Sequence, residues 1–154
     1  MLSLLAAACQ PALNWREVRP AGAGVVALFP CKPEVEQRPG MGLAQCEAAG
    51  QRFALSWADV PDATQVGPAL KAMPAALAAK LGVALPAGQA LQVPGMTPMD
   101  EAAEHRLTAR DGSSMRVAVF SSGGRVFQAL VSGAADSAAV WESFRAGLAV
   151  EAAR

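Results

Sequence analysis

His105 is the only histidine of the chain, and Asp100 and Glu101 lie close to it in sequence. An imidazole works as a general base when a carboxylate orients it beside a substrate. On an extended segment, however, His105 shares a face with Ala103, Leu107 and Ala109, while Glu104, Arg106, Thr108 and Arg110 take the other. That alternation turns the ring inward or to a rim, the position of a structural histidine. Asp100, Glu101 and Glu104 form an acidic group, but the glycine and spaced bidentate glutamate of a calcium loop are absent, so a solvated edge is expected. Ser113-Ser114 and Ser121-Ser122 fall where turns are expected, with no Gly-x-Ser-x-Gly around them. The glycines of Ala21-Gly22-Ala23-Gly24 precede a strand rather than a helix, which does not fit a phosphate loop or a dinucleotide fingerprint. The expectation is a non-enzymatic protein with no catalytic residue, no metal ligands and no cofactor.

The three cysteines carry a different chemistry. Residues 1–9 read Met1-Leu-Ser-Leu-Leu-Ala-Ala-Ala-Cys9, a short apolar run ending in small residues before a cysteine. The pattern resembles the lipobox of bacterial lipoproteins, in which the cysteine thiol is lipidated and becomes the mature N-terminus. The resemblance implies lipidation at Cys9, with residues 1–14 as signal remnant and tether. Ala6 stands where the lipobox prefers leucine, and eight residues are too few for a full signal or a bilayer span. The true start is therefore expected upstream, with Met1 internal to a longer signal. With Cys9 lipidated, Cys31 and Cys46 remain as a pair flanking the Pro/Gly-rich connection Lys32–Gly40. A bridge between them would close a loop of about 16 residues and stabilise by roughly 3 kcal/mol. Disulfides persist in the periplasm and are rare in the cytosol; the alternative is two buried, unpaired thiols. Neither Cys-x-x-Cys nor a histidine-rich spacing is present, so zinc and thioredoxin-like chemistry are not expected.

The 154 residues suit one domain, read as residues 15–150, and a hydrophobic content of 53% supplies a core. Thirteen basic residues balance 13 acidic ones, without runs of like charge, which argues against a nucleic-acid surface. Gly24–Phe29 reads as a strand stopped by Pro30, Met41–Ala48 as a weaker strand, and Arg52–Ala58 as an alternating one. Val66, Leu70, Met73, Leu77 and Leu81 form one stripe of a helix within residues 62–82. Pro68 and Pro74 predict a late start or a kink. Ala90–Val93 is a candidate edge strand. Three strands follow at Glu101–Arg110, Met115–Ser121 and Arg125–Ser132, turned at Asp111-Gly112 and Gly123-Gly124. A last helix, capped by Asp136 or Ser137, gathers Val140, Trp141, Phe144 and Leu148 on one face. Pairing across Gly123-Gly124 sets Phe120 against Phe127, Ala118 against Ala129, Val117 against Leu130 and Val119 against Gln128. Both faces of that hairpin are mostly apolar, so both must be covered. The predicted class is α+β: an antiparallel β-sheet with helices on both faces, a three-layer α/β/α sandwich.

The strand leading into Phe29-Pro-Cys-Lys-Pro33, the strand ending in Phe53-Ala-Leu-Ser-Trp57, a helix, a meander and the closing Val126-Phe-Gln-Ala-Leu-Val-Ser-Gly133 resemble the MOG1/PsbP-like fold. They are also similar to small proteobacterial lipoproteins that share it. The resemblance covers residues 15–150 and implies a binding or assembly protein without catalysis. The expected function is that of an envelope lipoprotein held on a bacterial membrane, the outer membrane in the first instance, and facing the periplasm. It would act on an envelope protein partner through a surface that includes Trp15. A soluble periplasmic carrier with a pocket between the sheet and the helix around residues 66–81 is the alternative.

Overall fold

A computed structural model describes residues 13–152. The elements run β1 (Arg16–Val18), β2 (Val25–Phe29), β3 (Glu34–Arg38), β4 (Met41–Ala48), β5 (Gln51–Asp59), α1 (Val66–Leu81), β6 (Gln89–Ala90), β7 (Ala103–Thr108), β8 (Ser114–Ser122), β9 (Arg125–Gly133), α2 (Ala138–Ala146) and β10 (Ala149–Val150).

The fold is α+β, and its strands form two antiparallel sheets instead of the one expected. A small sheet has the order β1-β2-β10, and a large one the order β3-β4-β5-β9-β8-β7-β6. Strands β1 and β10, of three and two residues, flank β2 from the two ends of the described chain. Runs so short carry no periodicity for sequence to reveal. Strand β3 lies in the stretch read above as a connection, and it pairs with β4 across Pro39-Gly40. Proline presets the first turn position and Gly40 takes a φ of 75° at the second, as a type II turn requires.

The hairpin of β8 and β9 has the register expected, with Phe120 opposite Phe127 and Val117 opposite Leu130. Its alternation sends side chains to two separate cores. On one face Leu107, Val117, Val119 and Val126 pack against Val66, Leu70 and Ala78 of α1. On the other, Phe53, Leu55, Trp57, Phe120, Phe127 and Ala129 meet Phe29 of the small sheet and Trp141 and Phe144 of α2. Phe144 sits edge-on to Phe29 at 5.4 Å and to Phe53 at 5.5 Å, so one side chain joins both sheets to α2.

Helix α1 begins late, at Val66, after a 3-10 turn over Ala63–Gln65 in which Asp62 accepts the Thr64 N–H at 2.9 Å. It runs through Pro74 as one helix and ends at Gly82, left-handed at φ 69°, whose N–H reaches the Ala78 and Ala79 carbonyls. Ser137, not Asp136, caps α2, accepting the Val140 N–H at 3.3 Å.

Candidate functional site: a groove beside α1

Helix α1 lies over β8 and β9, leaving the same face of β4 and β5 uncovered towards the β3 edge. The result is an open groove of about 440 Å³, within the size range of small-molecule sites. Two rows of side chains, set by strand register, make its floor. Arg38 and Met41 are paired, as are Met41 and Ala58, and Ala58 and Val126. The neighbouring row runs Glu36, Leu43, Ser56 and Gln128. Met73 of α1 forms the wall.

The strands of the floor also carry a close approach between Gly42 and Trp57. Gly42 lies opposite Trp57, and a Cβ there would stand 2.1 Å from the indole, so only glycine lets the ring lie across β4. Trp57 is thereby held in the core, 3% exposed, with its ring against β4.

The groove has mixed chemistry. Met41 is half exposed at its outer end. Ser56 and Gln128 are directly opposite, and neither side chain hydrogen-bonds to another described residue. Glu36 and Arg38, both exposed on β3, form no ion pair among the described residues. Other charges are closely engaged. Arg125 donates to both Asp59 oxygens, at 2.7 and 3.3 Å, and holds that carboxyl below its ordinary range, while also bonding the Gly22 and Ala23 carbonyls. Arg145 lies 3.2 Å from Glu104 and also binds Glu142.

No family model matches this chain. No curated protein matches it in sequence either. A solved structure of a protein from Bacteroides thetaiotaomicron VPI-5482, at 1.50 Å resolution, is similar at 11% identity, with a TM-score of 0.47 over 84% of this chain and 46% of that one. The chain thus spans about half the length of that protein.

The residues singled out in the sequence do not assemble into one site. His105 keeps the face read for it, and its Nδ1 donates to the Pro86 carbonyl at 3.0 Å instead of meeting a carboxylate. Its ring packs against Gly88, where a Cβ would come within 2.7 Å. The acidic group is divided. Glu101 sits by Gly67 in the first turn of α1, where a carboxylate complements the helix dipole, and Glu104 faces Arg145 on the opposite side of the sheet from His105. Among the described residues no cluster of metal-binding side chains occurs. Trp15 stands edge-on to Phe53 at 5.9 Å, partly buried against the core of the two sheets. Cys31 and Cys46 are bridged, with Cα atoms 6.0 Å apart, tying the end of β2 to β4 and hence the small sheet to the large one. Cys9 lies outside the described residues. No described helix is long and apolar enough to cross a membrane.

Nothing in the residue types of Glu36 and Arg38 marks them as site residues, because Lys32–Gly40 reads as a connection bounded by prolines. The available signal is Glu34-Val-Glu-Gln-Arg38 itself, a five-residue run polar except for Val35 and bounded by Pro33 and Pro39-Gly40, which suits an edge strand.

Proposed function

We propose that this protein is a non-enzymatic binding module of the bacterial envelope, exported and held on a membrane through a lipid on Cys9. The groove beside α1 is its binding site. The observation that carries the reading is a concave groove of mixed apolar and polar lining, whose Ser56, Gln128, Glu36 and Arg38 side chains have no partner among the described residues. The Cys31–Cys46 bridge supports an oxidising compartment. The resemblance to the MOG1/PsbP-like fold, and the reading of the domain as an α/β/α sandwich, support binding or assembly over catalysis. So does the engagement of His105 with a backbone carbonyl.

A small ligand fits the groove better than a large protein surface does. The site is concave, and it lies between the sheet and Met73 of α1, the place expected for a carrier's pocket. Two measurements test the proposal. Mass spectrometry of protein extracted from membranes should find a lipid-modified Cys9 at the mature N-terminus; an unmodified Cys9 behind Met1 removes the anchor. Thermal unfolding across a panel of small metabolites should show stabilisation that Met41→Glu removes. A flat response over the panel counts against the groove as a ligand site.

A further inference from the structure

We infer that the groove takes a small zwitterion with apolar side chains, a dipeptide of the leucyl-leucine type. This rests on the groove being a binding site and goes on to name its occupant. Glu36 and Arg38 stand two residues apart on one face of β3, and both line the groove. Two residues of strand separate their backbones by roughly 6.6 Å. An extended dipeptide spans at most about 7 Å. Its ammonium and carboxylate can therefore each face one member of an anion–cation pair carried at neighbouring positions of one strand face, and neither of these is already spent on an ion pair within the described protein. A ligand of one charge would satisfy one rim group and be repelled by the other. A purely apolar ligand would desolvate both without return.

The interior of the groove fits the middle of the same molecule. Met41, Ala58, Val126 and Met73 offer apolar surface to leucine-like side chains. Ser56 and Gln128 offer a hydroxyl and a carboxamide side by side, open to the groove and unpartnered among the described residues. A carboxamide presents one acceptor and two donors, and a peptide group presents one of each, so the two pair in complementary fashion. Apolar wall, neutral donor–acceptor floor and opposite charges at the rim thus correspond to the three parts of a free apolar dipeptide.

The test is calorimetric titration with leucyl-leucine, its N-acetyl form and its C-terminal amide. Glu36→Gln and Arg38→Gln serve as variants, because both residues are exposed and their replacement leaves the core untouched. Leucyl-leucine should bind, and each blocked form should bind about three- to fivefold more weakly, the scale of one solvent-exposed ion pair. Glu36→Gln should abolish the discrimination against the acetylated form only, and Arg38→Gln the discrimination against the amide only. Indifference to both blocking groups overturns the inference, as does the absence of dipeptide binding. An apolar anionic fluorophore, anilinonaphthalene sulfonate, separates this failure from that of the groove itself. Fluorophore binding that is lost in Met41→Glu, without dipeptide binding, leaves the groove a ligand site and removes the dipeptide. Failure of both probes removes the binding reading as well.

Discussion

Arg116 and Asp136 meet through two hydrogen bonds of 2.8 Å, closing β8 onto the entry to α2 across 20 residues of sequence. Arg116 lies directly opposite Arg106 on β7, a pairing of like charges that on its own destabilises a sheet. Asp136 resolves the conflict. It sits 3.2 Å from Arg106 as well, and accepts the Ser114 hydroxyl at 3.1 Å. Asp136→Ala should therefore cost about 2–3 kcal/mol in urea unfolding, because it leaves two guanidinium groups facing each other and one of them partly buried. A loss below about 0.5 kcal/mol would show that the cluster contributes no stability.

The same cluster sets a pH dependence. The Arg116 hydrogen bonds, against the opposing effect of burial, pull the Asp136 pKa from 3.8 down to about 2. The unfolded chain takes up this proton first, so the contribution is complete above about pH 4 and is lost as pH falls from there through about 2. It amounts to roughly 2 kcal/mol. Asp59, Asp62, Asp111 and Glu142 are depressed too, so the whole protein loses stability in acid. Comparing the wild-type and Asp136→Asn stabilities at pH 7 and pH 2.5 isolates the one group. The gap between the two proteins should narrow in acid; a gap independent of pH contradicts the assignment.

Cys31 and Cys46 close a loop with a sequence separation of 15. Replacing both by serine, or reducing the bridge, should lower stability by about 3 kcal/mol in the chain-entropy account. For a domain of this size that corresponds to a fall in Tm of roughly 6–12 °C. Calorimetry with and without reductant measures it, and an unchanged Tm would mean that strand pairing alone fixes β2 against β4.

Gly42→Ala places a methyl 2.1 Å from the Trp57 ring, which is hemmed in by core and cannot swing away. Overpacking of this kind costs about 1–3 kcal/mol. The indole should also become more exposed, visible as a red shift of the Trp57 emission in a variant with Trp15 and Trp141 replaced by phenylalanine. No change in either quantity would mean that β4 moves freely away from the ring.

Phe144→Ala removes the ring that contacts both Phe29 and Phe53. A fully buried phenylalanine costs about 3–5 kcal/mol when truncated. Because the ring joins α2 to both sheets, urea unfolding of the variant should remain one cooperative transition at a lower midpoint. Two separated transitions would show that the small sheet and the large one are independent units.

Much of the fold is legible in local pattern. Phe53, Leu55 and Trp57 alternate with Ala54, Ser56 and Ala58, and the structure sends the two sets to opposite faces. The helical stripe from Val66 to Leu81 packs as its spacing requires, with Met73, Leu77 and Leu81 only partly buried at its margin. The Gly123-Gly124 turn fixes the β8–β9 register residue by residue. In each case the information sits within about ten consecutive residues, the range over which side-chain period and turn chemistry act.

What belongs to sequence alone is the alternation of strand faces, the position of the helices, the turn residues and the pairing open to Cys31 and Cys46. Tertiary structure alone decides that β1 and β10 form a second sheet around β2, that Asp136 settles between two arginines instead of capping α2, and that α1 stops short of β4 and β5. Those outcomes depend on which distant surfaces come together and what they leave uncovered. The charge of Glu36 and Arg38 is written in the chain, but their place on the rim of a groove follows only from where a helix thirty residues later comes to rest.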